Sequence, residues 1–493
     1  MGKAIDTNGK PYNRSLLVVL LLVGSFCTFL NQTILSTAYP TLMKSFDITT
    51  STVQWLTTGF MLVNGIMIPI SAWLTSRVNS KTLYESAMTI FLLGTIACYI
   101  APSFQVLLIG RLIQALGVGV TMPLLQTLML SIFPAQSRGT AMGLAGLVIG
   151  VAPAIGPTLS GWVIDTYQWR VLFGMLIPIV IIVIIAGFWF MKNVLPTKKS
   201  SLDWLSAALS TIGFGSLLYG FSEVGTEGWG STIVIASLII GVVFILLFGW
   251  RQLTLDNPFL ELRVLKNPEF SVSALLSSVS NMAMVGVEMV LPLYLQIVRG
   301  DSALESGLTL LAGALMMGVM SPITGRIFDR IGARRLAITG MFLLTIGTIP
   351  FAFITRTTPV IYITVLYGVR MAGISMTMMP VTTAGMNALP LHLMSNGTAV
   401  NNTLRQVASS VGTAILISIL TNVTNNQAPE KSLLKSAPLN YKNDFMNATL
   451  SGYHAAFAAA IAFCLIGLVV SFFVSGRSPR SIKPEKVVNG GEN

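Results

Sequence analysis

The sequence predicts an all-α membrane protein with fourteen transmembrane helices. The prediction depends on composition, on the lengths of the apolar segments and on the charges of the loops between them. Of the 493 residues, 53% are hydrophobic and only 10% are charged, and the mean hydropathy is +0.76. A water-soluble protein could not bury so many apolar residues, so a lipid bilayer is the predicted solvent. The net charge of +12 does not indicate a nucleic-acid partner, because the basic residues lie in short loops.

Each transmembrane helix needs about 20 mostly apolar residues to cross roughly 30 Å of hydrocarbon. The first such segment is interpreted as a retained helix and not as a cleaved signal peptide, because no small-residue cleavage site precedes the amides Asn31 and Gln32. The fourteen predicted spans are 16–38, 54–74, 82–101, 104–130, 139–163, 169–191, 204–222, 229–250, 270–297, 305–326, 336–356, 359–385, 398–423 and 453–475.

The charges of the loops predict the orientation of the chain. Lys and Arg residues at the first or last two positions of a span are counted with the adjoining loop. With a cytoplasmic N-terminus, 20 of the 30 Lys and Arg residues then lie in inner segments, 7 lie in outer segments and 3 lie within spans. This excess satisfies the positive-inside rule, and an even number of spans returns the C-terminus to the cytoplasm. We therefore expect a multi-pass protein of the cell membrane with both termini in the cytoplasm. The polar segment 424–452 is interpreted as one long outer loop.

An internal repeat divides the chain, as in many transporters. Three pairs of segments match at displacements of 253, 257 and 258 residues: PISAWLTSRVNSK at 69–81 with PITGRIFDRIGAR at 322–334, TMPLLQT at 121–127 with MMPVTTA at 378–384, and SRGTA at 137–141 with SNGTA at 395–399. The first match relates span 2 to span 10, so each half has six spans and two spans are inserted between them. The predicted units are an N-terminal half (1–191), the two inserted helices with linkers (192–269), a C-terminal half (270–475) and a cytoplasmic tail (476–493).

Four motifs in chain order resemble those of a known family. They are FLNQTILSTAYP (Phe29–Pro40), LIGRLIQALGVG (Leu108–Gly119), GVAPAIGPTLSG (Gly150–Gly161) and GRIFDRIGARR (Gly325–Arg335). With them the sequence resembles the fourteen-helix drug:proton antiporters of the major facilitator superfamily, and within that group the lincomycin-resistance branch. The resemblance covers nearly the whole chain. It implies the major facilitator fold, with two six-helix halves around a central cavity.

The sequence departs from the family motifs at particular positions. By this resemblance, Phe29–Pro40 is the helix 1 motif, Gly150–Gly161 is the antiporter motif, and Gly325–Arg335 is the second copy of a gating motif whose first copy lies at 69–81. Asn31 stands where the helix 1 motif has Asp, and Ser76 and Asn79 stand where the gating motif has Asp and Gly. Ala115, in Leu108–Gly119, stands where a Gly is usual, and Ser160 replaces one Gly of the antiporter motif. The resemblance implies a gating role for the second copy, namely Gly325, Asp329, Arg330, Gly332 and Arg334. It implies an antiporter-specific role for Gly150, Pro153, Gly156, Pro157 and Gly161.

The antiporter motif has a physical interpretation of its own. Pro153 and Pro157 remove helix hydrogen bonds, and the three glycines of the motif let a neighbouring helix approach closely. The functional interpretation is a bend that seals one side of the cavity. The alternative is a helix rich in Gly and Pro that merely packs tightly.

Three arginines, Arg111, Arg370 and Arg405, lie within predicted spans. A guanidinium group stays charged, so each must face protein, water or an anion. One alternative is purely structural, with the arginine bonded to backbone carbonyl groups between helices. We expect the Asn31 amide oxygen to accept a hydrogen bond from Arg111. The residues predicted to line the cavity are Asn31, Gln32, Arg111, Gln114, Asn281, Asn401 and Arg405.

Glu288 is the only acid well inside a predicted span, and it shares one helix face with Ser277, Asn281 and Met284. A carboxyl group in low-dielectric surroundings favours its protonated form, which suits proton uptake and release. Glu288 is therefore the candidate for proton coupling. The alternative is an ion pair with Arg299 near the outer interface.

The predicted activity is efflux of amphipathic drugs or toxic small molecules, driven by proton entry and achieved by alternating access. The predicted partners are a small amphipathic molecule, protons and the lipid bilayer. We expect no enzyme activity, cofactor or metal, since Cys27, Cys98 and Cys464 have no metal-ligand spacing. An ATP-driven pump is disfavoured by the lack of a GxxxxGK[ST] loop. Two alternatives are an exporter of an endogenous metabolite or lipid, for which the basic residues within the spans would suit an anionic substrate, and a membrane sensor, which would need a soluble domain.

Overall fold

The computed structural model describes residues 5–476, except residues 8, 36, 198–202 and 431–436. These residues are almost entirely helical, and their only β-type pairing is an isolated bridge between Ile5 and Pro11. Within them, 14 helices are long and apolar enough to cross a membrane, which confirms the predicted fold class. They are α1 (Arg14–Thr33), α2 (Thr50–Arg77), α3 (Ser80–Tyr99), α4 (Phe104–Ile132), α5 (Arg138–Thr166), α6 (Leu176–Phe190), α7 (Trp204–Glu227), α8 (Thr232–Thr254), α9 (Pro268–Leu293), α10 (Ala303–Ile331), α11 (Ala333–Thr348), α12 (Val360–Asn387), α13 (Met394–Gln427) and α14 (Pro438–Ser471).

Shorter helical elements extend or connect the spanning helices. A π-helical turn, Tyr294–Arg299, continues α9 and carries it to the edge of its span. The other short elements are the α-helices Tyr39–Phe46 and Val171–Gly174 and the 3₁₀ turns Ala135–Ser137, Leu262–Lys266, Ile349–Phe353 and Leu391–Leu393.

The predicted outer loop at 424–452 is wrong in its extent. α13 continues to Gln427 and α14 begins at Pro438, so most of that segment is helical. Hydropathy marks the part of a helix that lies in hydrocarbon, and a helix can continue into water beyond it. The middle of the loop, 431–436, lies outside the described residues. So does the predicted cytoplasmic tail after Gly476.

Residues with capping or turn chemistry set several helix ends. At the start of α10, the Ser302 hydroxyl accepts a hydrogen bond from the Glu305 backbone N–H (3.2 Å), and the Glu305 carboxylate accepts one from the Ser302 N–H (2.8 Å). Gly332 separates α10 from α11 with φ +80°. A side chain is disfavoured in that conformation, so the turn between these helices requires glycine.

Helix packing places the inserted pair beside the seam between the halves. α5 packs along α10, which is the most extensive contact between the first six and the last six helices. α7 and α8 pack against each other, and α7 also packs against α2 and α13. The predicted division into two halves and an insertion agrees with this packing but remains a prediction.

Candidate functional site

A buried polar cluster joins α1, α2 and α4. Arg111 is 0% exposed, and its Nη1 atom donates to Gln114 Oε1 (3.0 Å) and to the backbone carbonyl oxygen of Asn31 (3.1 Å). Its Nε atom donates to the carbonyl oxygen of Leu56 (3.3 Å), and its guanidinium carbon lies 4.2 Å from the ring centroid of Phe60. Oxygen atoms and an aromatic face therefore compensate a charge that cannot be removed by deprotonation.

The predicted contact between Asn31 and Arg111 forms, but the prediction is wrong about the atom. Arg111 binds the Asn31 backbone carbonyl, while Asn31 Nδ2 donates to Gln114 Oε1 (3.1 Å) and Gln114 Nε2 donates to the Thr95 hydroxyl (2.9 Å). Asn31 Oδ1 has no hydrogen-bond partner among the described residues. The sequence is enough to predict that Asn31 and Arg111 lie at similar depth in the membrane. The orientation of the Asn31 side-chain amide depends on which neighbouring groups compete for its hydrogen bonds, and the sequence does not show those groups. Gln32, the next residue, is partly exposed.

A second cluster, around Arg370, lies between α9, α11 and α12. Arg370 is fully buried, and it donates through Nε to the Thr348 hydroxyl (2.8 Å) and through Nη2 to the carbonyl oxygen of Ala283 (3.0 Å). Glu288 is partly buried and lies within electrostatic range of Arg370. The alternative of an ion pair between Glu288 and Arg299 is not supported, because Arg299 pairs with Asp301 at 2.8 Å.

The two clusters occupy equivalent places in the internal repeat. Their corresponding residues are separated by 253 to 259 residues, close to the displacements of the repeated segments: Thr95 with Thr348, Asn31 with Glu288, and Arg111 with Arg370. Glu288 is thus the counterpart of the amide in α1. Thr348 is not among the residues predicted from the sequence. It lies 253 residues after Thr95, the displacement that relates the segments 69–81 and 322–334, and this displacement could have identified it.

A third polar group lies where α4, α9, α12 and α13 approach one another. Asn402 Nδ2 donates to Gln126 Oε1 (2.9 Å) and so links the two halves. Asn281 Nδ2 donates to the carbonyl oxygen of Arg405 (3.1 Å), and Arg405 Nη2 lies 3.4 Å from Asn281 Oδ1 and 3.7 Å from Met378 Sδ. Gln126 and Asn402 are not among the predicted site residues, because single amides in apolar segments give little signal in the sequence.

The residues predicted to line one cavity are therefore distributed over two groups. Asn31, Gln32, Arg111 and Gln114 belong to the first half, while Asn281, Asn401 and Arg405 belong to the second. Asn401 lies one turn before Arg405 on α13 and is buried. Their role in lining a cavity remains a prediction.

The gating motif joins the two halves at one end of the molecule. Asp329 Oδ1 accepts a hydrogen bond from the Gly139 N–H (2.8 Å), and Oδ2 accepts from the N–H (2.9 Å) and the hydroxyl (2.6 Å) of Thr140. Gly139 and Thr140 lie in the first turn of α5, where unpaired N–H groups and the helix dipole favour an anion. Close by in sequence, Arg138 Nη1 donates to Asn387 Oδ1 (2.8 Å).

Glycines allow the helix backbones to meet beside this contact. A Cβ atom on Gly325 would clash with the carbonyl oxygen of Gly139, so α10 and α5 touch through their main chains. Arg330 and Arg334 are exposed near the same turn. The degraded first copy of the motif differs, because its Ser76 hydroxyl donates to the Trp73 carbonyl oxygen (2.8 Å) of its own helix.

The antiporter motif on α5 contacts two different helices. Pro157 has no N–H, so the Pro153 carbonyl oxygen lacks its helical donor, and the Thr33 hydroxyl of α1 supplies one at 2.6 Å. Gly156 faces the same threonine, and Gly150 faces Met317 of α10. Gly161 differs, because a Cβ atom there would meet no other atom within 4 Å. Four of the five motif residues therefore serve helix contacts.

The described residues form 14 helices that can span a membrane, joined by buried polar contacts, and this architecture fits a membrane transporter. The sequence profile of the Major Facilitator Superfamily matches residues 21–413. The chain is 49% identical to the "Uncharacterized MFS-type transporter YcnB" of Bacillus subtilis (strain 168), covering 94% of this chain and 95% of that protein. It is 38% identical to the "Lincomycin resistance protein LmrB" of Listeria innocua, covering 95% and 98%. The fold also matches the crystal structure of the human organic anion transporter MFSD10 with a TM-score of 0.65 and 13% identity, over 93% and 99% of the two chains. The chain belongs to the major facilitator superfamily, near the lincomycin-resistance branch.

Proposed function

We propose that this protein exports amphipathic drugs or toxic small molecules across the cytoplasmic membrane in exchange for protons. The family membership makes it a transporter, and the similarity to a lincomycin-resistance protein supports drug efflux as the activity. Both termini lie in the cytoplasm in this proposal, as the loop charges predict.

The observation that carries proton coupling is the position of Glu288. It is the only carboxyl group in the described spans that lies more than about two helical turns from a span end. Glu288 lies close enough to the buried Arg370 for the two charges to interact electrostatically, and the guanidinium group of Arg370 stays protonated. A carboxyl group placed in this way can bind a proton when it is exposed to one side of the membrane and release it on the other.

Alternating access requires contacts that form in one state and break in another. Asp329 at the start of α5 and the pair of Arg138 with Asn387 are contacts of this kind, since both link the two halves at one end. In the proposed cycle these contacts close the cytoplasmic end of the cavity and open when the substrate enters from the cytoplasm.

The proposal is tested by substrate uptake into inside-out membrane vesicles. Ethidium and radiolabelled lincomycin are offered with an imposed pH gradient, acid inside, and again after nigericin has collapsed that gradient. We expect uptake of at least one of the two compounds only while the gradient exists. Uptake that is unaffected by nigericin would contradict proton exchange, and no uptake of either compound would contradict drug efflux.

A second candidate function is export of an endogenous anionic metabolite or lipid. It is favoured by the described spans, in which Arg111, Arg370 and Arg405 are all buried and Glu288 is the only acid far from a span end. The physiological role and the drug-export activity are separable, because one binding region can serve both kinds of molecule.

A further inference from the structure

Of the three buried arginines, Arg405 has the longest and weakest side-chain hydrogen bonds. It is 5% exposed, yet its Nε and Nη1 atoms have no hydrogen-bond partner among the described residues. Its Nη2 atom has only the long contact to Asn281 Oδ1 (3.4 Å) and the contact to Met378 Sδ (3.7 Å), a weak acceptor. A buried charge without partners is destabilising unless a ligand or water completes its contacts.

The other two buried arginines provide an internal comparison. Arg111 donates to three oxygen atoms and packs on an aromatic ring. Arg370 donates to two oxygen atoms and lies near Glu288. Both are held as structural cations are usually held, between helices and by oxygen acceptors. Each still has one nitrogen without a partner among the described residues, Arg111 Nη2 and Arg370 Nη1, whereas Arg405 has two such nitrogens and no oxygen acceptor closer than 3.4 Å.

The surroundings of Arg405 supply further donors but no counter-charge. Asn401, one helical turn earlier on α13, is 1% exposed, and its Nδ2 atom also has no partner among the described residues. None of the acidic side chains that the structure describes forms an ion pair with Arg405. Unused donors from two side chains on consecutive turns of one helix favour an acceptor that is not part of the protein.

The internal repeat shows that this group of residues is not a symmetric structural feature. At the displacement of 258 residues that relates α5 to α13, Arg405 corresponds to Leu147 and Asn401 corresponds to Gly143. The first half therefore packs the equivalent helix without any charge at this place. The equivalent helix packs without an arginine at this place, which favours a role for Arg405 other than helix packing.

We propose that Arg405 and Asn401 form a binding site for the anionic group of a transported molecule, in particular a carboxylate attached to an apolar body. The guanidinium fork matches the two oxygens of a carboxylate, and the Asn401 amide can donate to one of them. The proposal rests on the proposed export function and narrows it, because it assigns the preferred substrate a negative charge.

The experiment compares three probes that share a dansyl group and differ in charge: dansylglycine, dansylamide and dansylcadaverine. Fluorescence titrations use the purified full chain in phosphatidylcholine nanodiscs, with empty nanodiscs as the blank. Because a charge-assisted bidentate contact is roughly twice as strong as a neutral one, we expect dansylglycine to bind about tenfold or more tightly than dansylamide. Equal binding of the two probes by the wild type would overturn the proposal without any variant.

Two variants assign the effect to the residue. We expect Arg405→Gln to remove the preference for dansylglycine while leaving dansylamide affinity within about twofold, and Arg405→Lys to keep part of the preference. Arg263→Gln, which removes a charge from the connector after α8, is the matched control and keeps the full preference. Retained preference in Arg405→Gln, with the protein monodisperse and its melting temperature unchanged, would place the anion elsewhere.

Two further measurements distinguish the proposal from its alternatives. The dansylglycine titration is repeated in nanodiscs that contain phosphatidylglycerol, to learn whether a lipid phosphate occupies the site. If this lipid competes with dansylglycine, the ligand is a lipid and the substrate assignment is overturned. Uptake of both ethidium and dansylglycine into inside-out vesicles, driven by an imposed pH gradient, is measured in parallel. Gradient-driven uptake without any preference for dansylglycine contradicts only the anion site, whereas preference without any transport contradicts the export function.

Discussion

At the scale of single residues, Asp329 makes the most informative contact. Its carboxylate accepts three hydrogen bonds from the first turn of α5, while Ser76, at the equivalent place in the first half, bonds only to its own helix. The two copies of one motif therefore have different consequences. Asp329 of the second copy bonds across the two halves, whereas the Ser76 hydroxyl of the first copy bonds within its own helix.

We predict that Asp329→Asn lowers the efflux rate by about tenfold, because losing a charged acceptor at a helix N-terminus removes about 1.5–3 kcal/mol from one transport state. Ser76→Ala is the matched control and should leave efflux within about twofold. Both are measured by ethidium efflux from cells at equal expression. Equal losses in the two variants would show that Asp329 has no special part in gating.

The amide in α1 leads to a second prediction. Asn31→Asp should be tolerated, because Arg111 lies beside this position and its Nη2 atom has no partner among the described residues. A new carboxylate can accept from that atom. We expect transport to persist with a changed pH dependence, measured as the initial rate of substrate uptake between pH 5.5 and 8. An unchanged pH profile would mean that position 31 is isolated from the transport cycle.

At the scale of helices, close contact between α5 and α10 depends on glycine in the gating motif. We predict that Gly325→Ala is destabilising by about 1–3 kcal/mol, since the added methyl group would clash with the Gly139 backbone and cannot be accommodated by a side-chain rotation. The matched control is Gly161→Ala, where the added atom meets nothing within 4 Å.

Thermal unfolding of the two variants in detergent separates these cases. Gly325→Ala should melt at a lower temperature than the wild type, and Gly161→Ala should melt within about 1 °C of it. A similar decrease in both variants would show that the close contact with the Gly139 backbone is not the cause of the lost stability.

The inserted helices α7 and α8 are joined to each other by an ion pair that does not depend on physiological pH. Arg251 donates to Asp203 through Nε (2.9 Å) and Nη2 (3.0 Å), and these hydrogen bonds lower the pKa of Asp203 to about 2. Because the pKa is lowered on folding, the stabilisation is fully present above the usual pKa of the group. It is lost only as the pH falls through about 2.

The helices were largely predictable from the sequence, and their side-chain contacts were not. Apolar runs of sufficient length identify all fourteen spans, because the bilayer imposes one length on every spanning helix. The ends of α13 and α14 were misjudged, since polar residues continue a helix into water without any hydropathy signal. The sequence also predicts that Arg111 lies at the same depth as Asn31. That the Asn31 side-chain amide donates to Gln114 depends on helix packing and was not predictable.

At the scale of the whole molecule, the number and orientation of the spans are testable together. We predict that an epitope tag after Gly9 and one after Val488, a position outside the described residues, are both accessible only from the cytoplasm. A tag at Ala437, between α13 and α14, should be accessible from outside intact cells. The measurement is antibody labelling before and after permeabilisation. Cytoplasmic labelling at Ala437 would contradict the fourteen-span topology.

The internal repeat also gives the molecule a functional asymmetry. Arg111 and Arg370 occupy equivalent places, but within the described part of the chain only Arg370 has a carboxyl group near it, that of Glu288. We therefore infer that the second half carries the proton and that the Glu288 carboxyl group is the carrier.

Proton movement on addition of substrate tests this claim most directly. Reconstituted vesicles with an internal pH dye are studied for the wild type, for Glu288→Gln and for Glu85→Gln, a control acid near the start of α3. Glutamine keeps the size and hydrogen-bonding ability of the side chain but cannot release a proton. We predict substrate-dependent proton movement in the wild type and in Glu85→Gln, and none in Glu288→Gln, which should still bind substrate. Proton movement that persists in Glu288→Gln would contradict the account.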